Sequence, residues 1–269
     1  MKSILTILLA LLISGNYAFA QTESPYTTSW KADGLAIAGG VGLSALGLSL
    51  IKNKRDLTET EVNALSKDDV FFMDRFAAGD INDQADKDSY IPFYGSFAAV
   101  PVIMLLNKGQ RHNAGQVMAL FVETMSVTGA LFSITAGSVQ RSRPYVYNTT
   151  LPMSDRMDSD AHRSFFAGHT AATATATFFA AKIFSDFNPN SKLKPYVWAA
   201  AAIVPASVGY LRLKGGRHFL SDNLLGYGIG ATVGILVPQL HKKSNTTGLS
   251  LAPYGGNGVQ GASLTYTLK

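Results

Sequence analysis

The stretch QVMALFVETMSVTGALFSITA, residues 116–136, is apolar over 21 residues. A helix of about 20 apolar residues is long enough to span a bilayer or to fill the core of a bundle. Four further segments are apolar and of similar length: residues 91–106, 170–184, 196–213 and 224–240. A sixth segment, residues 34–51, is rich in glycine and serine and is a weaker candidate. The sequence therefore predicts an all-α fold, a bundle of five to six apolar helices.

Composition favours a membrane-embedded bundle over a nucleic-acid-binding protein. Only 15% of the 269 residues are charged, against about 25% in soluble domains. The net charge of +5 is spread over short clusters between apolar segments, without the aromatic and basic interleaving that single-stranded nucleic acid requires. The absence of cysteine excludes disulfides, a thiolate nucleophile and a cysteine-based zinc site. Since the mean hydropathy is a modest +0.13, a soluble bundle stays open as the alternative.

The N-terminus has the pattern of a secretory signal. Lys2 precedes the apolar run of residues 4–13, and Ala18 and Ala20 form a small-residue cleavage site. This predicts a signal peptide over residues 1–20 and a mature chain that starts near Gln21, with an uncleaved first membrane helix as the alternative.

The remaining chain divides into three regions. Residues 21–90 form an N-terminal region with the weak apolar helix and an amphipathic surface or interfacial segment, DVFFMDRFAAG, at 69–79. Residues 91–240 form the helical core, and residues 241–269 a tail. Apolar residues alternate with polar or small ones on either side of GGNG in this tail, which predicts a small β-hairpin.

The basic residues predict how the bundle lies in a membrane. Three links carry lysine and arginine: Lys108 and Arg111, Lys192 and Lys194, and Lys242 and Lys243. All three would lie on one side, which the positive-inside rule makes cytoplasmic. A cleaved signal would place the mature N-terminus on the other side, so a full crossing by residues 34–51 would invert every later helix. Incomplete crossing, a retained signal and a soluble bundle are the three alternatives.

Three clusters of polar residues fall on the opposite, outer side: QRSRPYVYN at residues 140–148, RSFFAGHTAAT at 163–173 and LRLKGGRHFLSDN at 211–223. Ionisable groups at the rim of such a bundle are costly and are therefore functional candidates. Arginine suits the oxygens of a phosphate group. An Asp222 in the first turn of its helix can reach back to His218, and a carboxylate on one ring nitrogen fixes the tautomer of an imidazole.

The order RP, GH and R-x5-H-x3-D resembles the motifs of the type 2 phosphatidic acid phosphatase family, which includes lipid phosphatases, bacterial acid phosphatases and vanadium haloperoxidases. The resemblance implies a helical bundle with its active site at one end. It also implies roles for individual residues. His218 would attack phosphorus and form a phosphohistidine, Asp222 would orient it, and His169 would protonate the leaving group. The phosphate would be held by Arg143, Arg212 and the backbone N–H of Gly168, with no metal or other cofactor needed for hydrolysis.

The chain departs from the family pattern at two positions that bear on phosphate binding. Ala136 stands where the family has a lysine, and Ala167 where it has a serine. We expect Arg141 to supply the missing positive charge, because in an extended segment it points to the same side as Arg143. A solvent-facing loop charge is the alternative for Arg141.

The leading functional prediction is a phosphatase of the bacterial cell envelope, in the inner membrane with its active site facing the periplasm. Its partners would be membrane lipid and a phosphorylated substrate, either a lipid phosphate or diphosphate or another phosphomonoester. The alternatives are a soluble periplasmic acid phosphatase acting on small phosphoesters, a haloperoxidase that holds vanadate on His218, and a degenerate phosphate-binding or structural membrane protein.

Overall fold

The computed structural model describes residues 23–243, 249–256 and 259–266. Six long helices form a bundle: α1 (Trp30–Lys52), α2 (Asp83–Leu106), α3 (Ala114–Ser138), α4 (Gly168–Phe187), α5 (Lys194–Lys214) and α6 (Leu220–Leu240). Each contains one of the six apolar segments. The predicted all-α bundle is therefore confirmed, including the weaker helix at 34–51.

Helix α4 is the centre of the bundle and packs against α2, α3, α5 and α6. Its sequence is dominated by alanine and threonine, and most of its residues are buried. The threonine hydroxyls are satisfied locally or by a neighbouring helix, as where Thr177 Oγ1 donates to the carbonyl of Ala201 at 2.9 Å. Small side chains let the surrounding helices approach closely.

Helix α1 packs along α3 through small residues. A Cβ atom added to Gly40 would lie 2.5 Å from Ser126 Oγ, and one added to Gly47 would lie 2.4 Å from Ser133 Oγ. Only glycine fits at these two contacts. Because these contacts follow the same order along both helices, α1 and α3 run parallel. Helix α1 therefore crosses the full length of the bundle.

Five of the long helices, all except α4, are long and apolar enough to cross a membrane. Many of their large apolar side chains point outward, among them Leu46, Leu105, Ile203 and Leu224. Helix α4 is shielded by its neighbours. The bundle therefore presents an apolar periphery around a core of small and polar residues.

The chain between α1 and α2 contains only short turns of helix, at Glu59–Asn63, Lys67–Asp69 and Arg75–Ala77. The predicted surface segment at 69–79 lies here, with Phe71, Phe72 and Phe76 exposed and Asp74 fully buried. Further short helices are found at Lys108–His112, Pro144–Tyr147, Met153–Met157 and Ser159–His162.

The C-terminal hairpin is confirmed. Strand β1 (Leu249–Gly256) pairs antiparallel with β2 (Val259–Tyr266), with Leu249 opposite Tyr266. The predicted signal peptide lies outside the described residues, and the division into three mature regions stays a prediction.

Candidate active site

The three polar clusters meet at one end of the bundle. The extended segment after α3 carries Arg141 and Arg143, α4 starts with Gly168 and His169, and the loop between α5 and α6 carries His218. Backbone pairing joins the first two clusters, since the amide of Ser164 donates to the carbonyl of Arg141 at 2.9 Å. With Arg212 near the end of α5 and Asp222 in the first turn of α6, the predicted site residues are brought together from five parts of the chain.

His218 is 3% exposed, and its Nδ1 lies 2.6 Å from the carbonyl oxygen of Ser164. A carbonyl oxygen can only accept, so Nδ1 carries the ring proton and Nε2 carries the lone pair. Burial, together with the positive charges of Arg143 and Arg212, holds the pKa of His218 well below its ordinary value of 6.5. The imidazole is therefore neutral near pH 7 and available as a nucleophile.

The predicted contact between Asp222 and the ring of His218 is corrected by the structure. One carboxylate oxygen of Asp222 accepts from Ser164 Oγ at 2.6 Å and from the amide of Phe219 at 2.9 Å. The other oxygen pairs with Arg141. Because Asp222 caps the start of its own helix, its carboxylate faces the Ser164 hydroxyl, and the carbonyl of Ser164 contacts the histidine. Asp222 is thus connected to His218 through one intervening residue, Ser164.

Arg141 has a different environment from the predicted one. Its guanidinium pairs with Asp222 and with Asp74, the latter at 2.6 Å, and both carboxylates are fully buried. Ser221 completes this group by donating from its hydroxyl to Asp74 at 2.6 Å. The ring of Phe219 lies below the guanidinium, 4.9 Å away. Two carboxylates offset the charge of Arg141, so these contacts give it a structural part in the site.

Arg143 is buried and shares a carboxylate with a second arginine. Its Nη2 lies 3.0 Å from Asp160 Oδ1, and Arg163 pairs with the same oxygen. Arg143 Nε also donates to the backbone carbonyl of Asp160 at 2.8 Å. These neighbours lower the pKa of Asp160 although burial opposes them, so the carboxylate stays ionised. The Nε atom of Arg163 is buried and has no hydrogen-bond partner within the described chain.

Arg212 repeats this arrangement. It pairs with Asp86 in the first turns of α2, and Arg217 Nη2 lies 2.8 Å from the other oxygen of that carboxylate. The Nε of Arg212 is buried and lacks a partner among the described residues. Tyr90 lies 5.9 Å below its guanidinium. Each of the two motif arginines thus shares an aspartate with an arginine outside the motifs. Arg143 shares Asp160 with Arg163, and Arg212 shares Asp86 with Arg217.

His169 lies at the start of α4 against aromatic rings. Its ring centroid is 4.4 Å from that of Phe93 and 5.2 Å from that of Tyr90, and within the described chain it makes no hydrogen bond. Both ring nitrogens can therefore serve a ligand. Gly168, the first residue of the helix, has a backbone N–H without an acceptor in the helix. A Cβ at this position would lie 2.4 Å from the ring of Phe132, so a side chain is excluded there.

The two departures from the family pattern are both buried. Ala167 is fully buried, and Ser164, the nearby serine, uses its hydroxyl on Asp222. Close to Ala136, Lys54 from the end of α1 donates to the carbonyls of Ala136 at 3.0 Å and Val139 at 2.6 Å. Its pKa is lowered, by burial and by the charge of Arg163. A lysine thus lies near the expected position, but it binds the end of helix α3.

The openings at this end of the bundle include an apolar cleft and a polar cavity. An apolar cleft of 330 Å³ lies between α5 and α6, and its lining includes Thr170, Leu213 and Leu220. Each of these three is one or two residues from a candidate catalytic or phosphate-binding side chain. A second, polar cavity of 390 Å³ is lined by Tyr145, Asp160, Arg217 and further aspartates.

Comparison with known proteins agrees with this arrangement. The PAP2 superfamily model matches residues 96–246, more than half of the chain. The chain therefore belongs to the PAP2 superfamily, whose members are phosphoesterases, which supports a phosphatase. No curated protein and no solved structure matches it.

Proposed function

We propose that this protein hydrolyses the phosphate ester of a membrane lipid through a phosphohistidine formed on Nε2 of His218. The observation that carries the proposal is the tautomer of His218: its proton faces the Ser164 carbonyl, so the lone pair is on the nitrogen that is left for phosphorus. The charges of Arg143 and Arg212 both act on this ring. A neutral nucleophile among fixed cations suits attack on an anionic ester.

In the proposed reaction, Nε2 of His218 forms a bond to phosphorus while the bond between phosphorus and the lipid oxygen breaks. His169 gives its proton to that oxygen. Water then attacks the phosphohistidine, the N–P bond breaks, and His169 takes back a proton from the water. The incoming phosphate supplies the negative charge that favours a protonated His169 among the arginines.

The net positive charge of the site equals in size the negative charge of a phosphate monoester. Four guanidiniums, those of Arg143, Arg163, Arg212 and Arg217, share two carboxylates. Four positive charges less two negative charges leave two, which equals the charge of a phosphate monoester dianion. We propose that Arg163 and Arg217 replace the positive charge that the family has at position 136.

The apolar cleft supports a lipid as the substrate. It opens on the lipid-facing side between α5 and α6, where Ala206 and Tyr210 are exposed. An acyl chain in this cleft would place its phosphate near Arg212, next to Leu213 in the chain. The polar cavity beside Arg217 would take the solvated end of the molecule. An amphiphilic ester requires this combination of surfaces, whereas a small soluble ester does not.

We place the catalytic end on the periplasmic face of a bacterial inner membrane. The basic residues of the links after α2 and α4 and of the C-terminal end of α6, including Lys108, Lys192 and Lys242, lie at the opposite end. By the positive-inside rule that end is cytoplasmic. Because α1 starts at this end and crosses the bundle, this orientation goes with an N-terminal segment that is retained rather than cleaved as a signal peptide.

Blocking the cleft tests the substrate class. Ala206→Trp would fill the cleft, and Ile203→Trp, on the same helix outside the cleft lining, is the matched control. We expect Ala206→Trp to lower phosphate release from long-chain phosphatidic acid while release from p-nitrophenyl phosphate stays unchanged. Equal losses on both substrates, or none on the lipid, would contradict a lipid substrate held in this cleft.

A further inference from the structure

A second group of ionisable side chains lies at the end of the bundle opposite the catalytic residues. It consists of Asp33 in the first turn of α1, Glu123 within α3 and His241 directly after α6. Asp222 and His241 are 19 positions apart along α6, or about 29 Å at 1.5 Å per residue. The group is therefore separate from the phosphatase site.

The histidine of this group is oriented by the backbone. His241 Nδ1 lies 2.8 Å from the carbonyl oxygen of Val237. Since the carbonyl must accept, Nδ1 carries the proton of the neutral ring and the lone pair of Nε2 points at the two carboxylates. A backbone carbonyl on the far nitrogen is the usual way in which a metal-binding histidine is fixed.

Both carboxylates are buried and direct an oxygen at the same point. Asp33 uses one oxygen to accept from the amide of Ser29 at 2.8 Å, which leaves its Oδ1 for the cluster. Glu123 is 8% exposed, and its Oε2 has no hydrogen-bond partner among the described residues. Among the described residues, the ion-pair partner of Glu123 is His241, and no lysine or arginine forms a salt bridge with this carboxylate.

Two carboxylates and one neutral imidazole carry a net charge of −2 in a low-dielectric environment. Such a charge is costly unless a cation offsets it. One divalent ion would neutralise the cluster, whereas a proton on His241 would remove only half of the charge. Neutralising the cluster with protons alone requires one on His241 and a second on a carboxylate, whereas a single divalent cation suffices.

The spacing of the ligand atoms fits a small transition metal. Nε2 of His241 lies 3.3 Å from Asp33 Oδ1 and 3.4 Å from Glu123 Oε2. A tetrahedral Zn²⁺ with ligand atoms at about 2.1 Å separates neighbouring ligand atoms by about 3.4 Å. Without an ion, Asp33 Oδ1 is in long hydrogen-bonding contact with this nitrogen, whereas Glu123 Oε2 has no hydrogen-bond partner among the described residues.

We propose that Asp33, Glu123 and His241 bind one divalent transition-metal ion of the Zn²⁺ type, with a fourth position left for water. The ion would join the start of α1, the middle of α3 and the end of α6. The segment before α1 already pairs with the residues after α6, as where the amide of Lys243 donates to the carbonyl of Pro25 at 2.9 Å. The site is therefore structural, and it closes the end of the bundle at which the basic residues lie.

Metal content and spectroscopy test this proposal. The full chain, purified in detergent without a polyhistidine tag and stripped with EDTA, would be titrated with Zn²⁺ and separately with Co²⁺. We expect about one ion per chain, visible d–d absorption of four-coordinate Co²⁺, and a thermal midpoint that rises with the concentration of Zn²⁺. Glu123→Gln and His241→Gln would lose all three signals. His112→Gln, an exposed histidine at the same end, is the matched control and would keep them.

The proposal is overturned if the stripped wild-type protein binds no Co²⁺ or Zn²⁺, or if Glu123→Gln retains the same stoichiometry and spectrum. Wild-type titrations alone decide the first point, so a variant that fails to fold does not leave the question open. Measuring phosphate release on the same samples distinguishes a failure of the metal-site proposal from a failure of the proposed phosphatase function. EDTA-treated protein would keep its turnover at a temperature where it stays folded, because no residue of the cluster belongs to the catalytic end.

Discussion

The backbone carbonyl of Ser164 lies 2.6 Å from Nδ1 of His218 and determines which ring nitrogen is free. The hydroxyl of the same serine donates to Asp222, which in turn pairs with Arg141. The ring of His218, the proposed nucleophile, is thus held by a series of buried contacts, and removing any one of them is expected to loosen it.

Ser164→Ala removes the hydroxyl and leaves one oxygen of Asp222 with a single partner. A buried hydrogen bond to a charged group contributes about 1.5–3 kcal/mol. Because losing this hydrogen bond loosens the position of His218, kcat would fall about 10- to 100-fold with little change in KM. Ser142→Ala, in the neighbouring extended segment, is the control and would keep wild-type kinetics. A Ser164→Ala enzyme with normal kcat would show that Asp222 does not act through this serine.

The arginines outside the family motifs give a second prediction. Arg163→Ala and Arg217→Ala each remove one of the two excess positive charges, so kcat/KM for a phosphate monoester would fall by up to about 100-fold. Arg55→Ala removes an exposed arginine that pairs with Glu61 and would change kcat/KM little. If Arg141→Ala alone reproduced the loss while Arg163→Ala and Arg217→Ala were active, Arg141 would be the replacement for the missing lysine.

Acid stability follows from the buried histidines. The pKa values of His218 and His162 are both lowered in the folded protein, chiefly by burial, from the ordinary value of 6.5. Below pH 6.5 the unfolded chain therefore binds more protons than the folded one, and stability is lost as the pH falls. Thermal midpoints in detergent between pH 7.5 and pH 5 would show this slope, and His218→Asn would make it shallower. An unchanged slope in His218→Asn would contradict a neutral, buried His218.

The orientation in the membrane can be tested with single cysteines because the chain contains none. Thr150 is exposed at the catalytic end, and Asn190 is exposed between α4 and α5 at the other end. We expect an impermeant maleimide to label Thr150→Cys in intact spheroplasts and Asn190→Cys only after permeabilisation. The reverse pattern would place the active site in the cytoplasm.

The apolar segments predicted every long helix because burial in a bundle or in lipid demands continuous apolar residues. They predicted the polar ends less well. The segment at 91–106 belongs to a helix that starts at Asp83, where Asn82 caps the first turn by accepting from the amide of Ala85 at 2.9 Å. The additional turns face the site and are polar, so hydropathy does not mark them. Asp86, the partner of Arg212, lies in this part of α2.

The motifs located both histidines, two of the four clustered arginines and Asp222, but not the residues that join them. Asp160 lies in a single turn of helix and Ser164 in the loop after it, neither within a periodic pattern, and Asp86 contacts Arg212 from 126 positions away in the chain. Such pairings depend on how helices pack and leave no spacing to detect. The sequence predicted that the carboxylate of Asp222 turns back toward the ring of His218. Instead, its carboxylate caps the helix and binds Ser164.

In the proposed reaction, His218 Nε2 becomes covalently bonded to phosphorus. Rapid quenching of the enzyme with ³²P-labelled phosphatidic acid under alkaline conditions, followed by peptide mapping, tests it directly. We expect acid-labile, alkali-stable label on the peptide that contains His218, and neither label nor phosphate release in His218→Asn. Sustained phosphate release by His218→Asn, or label on another residue, would contradict it.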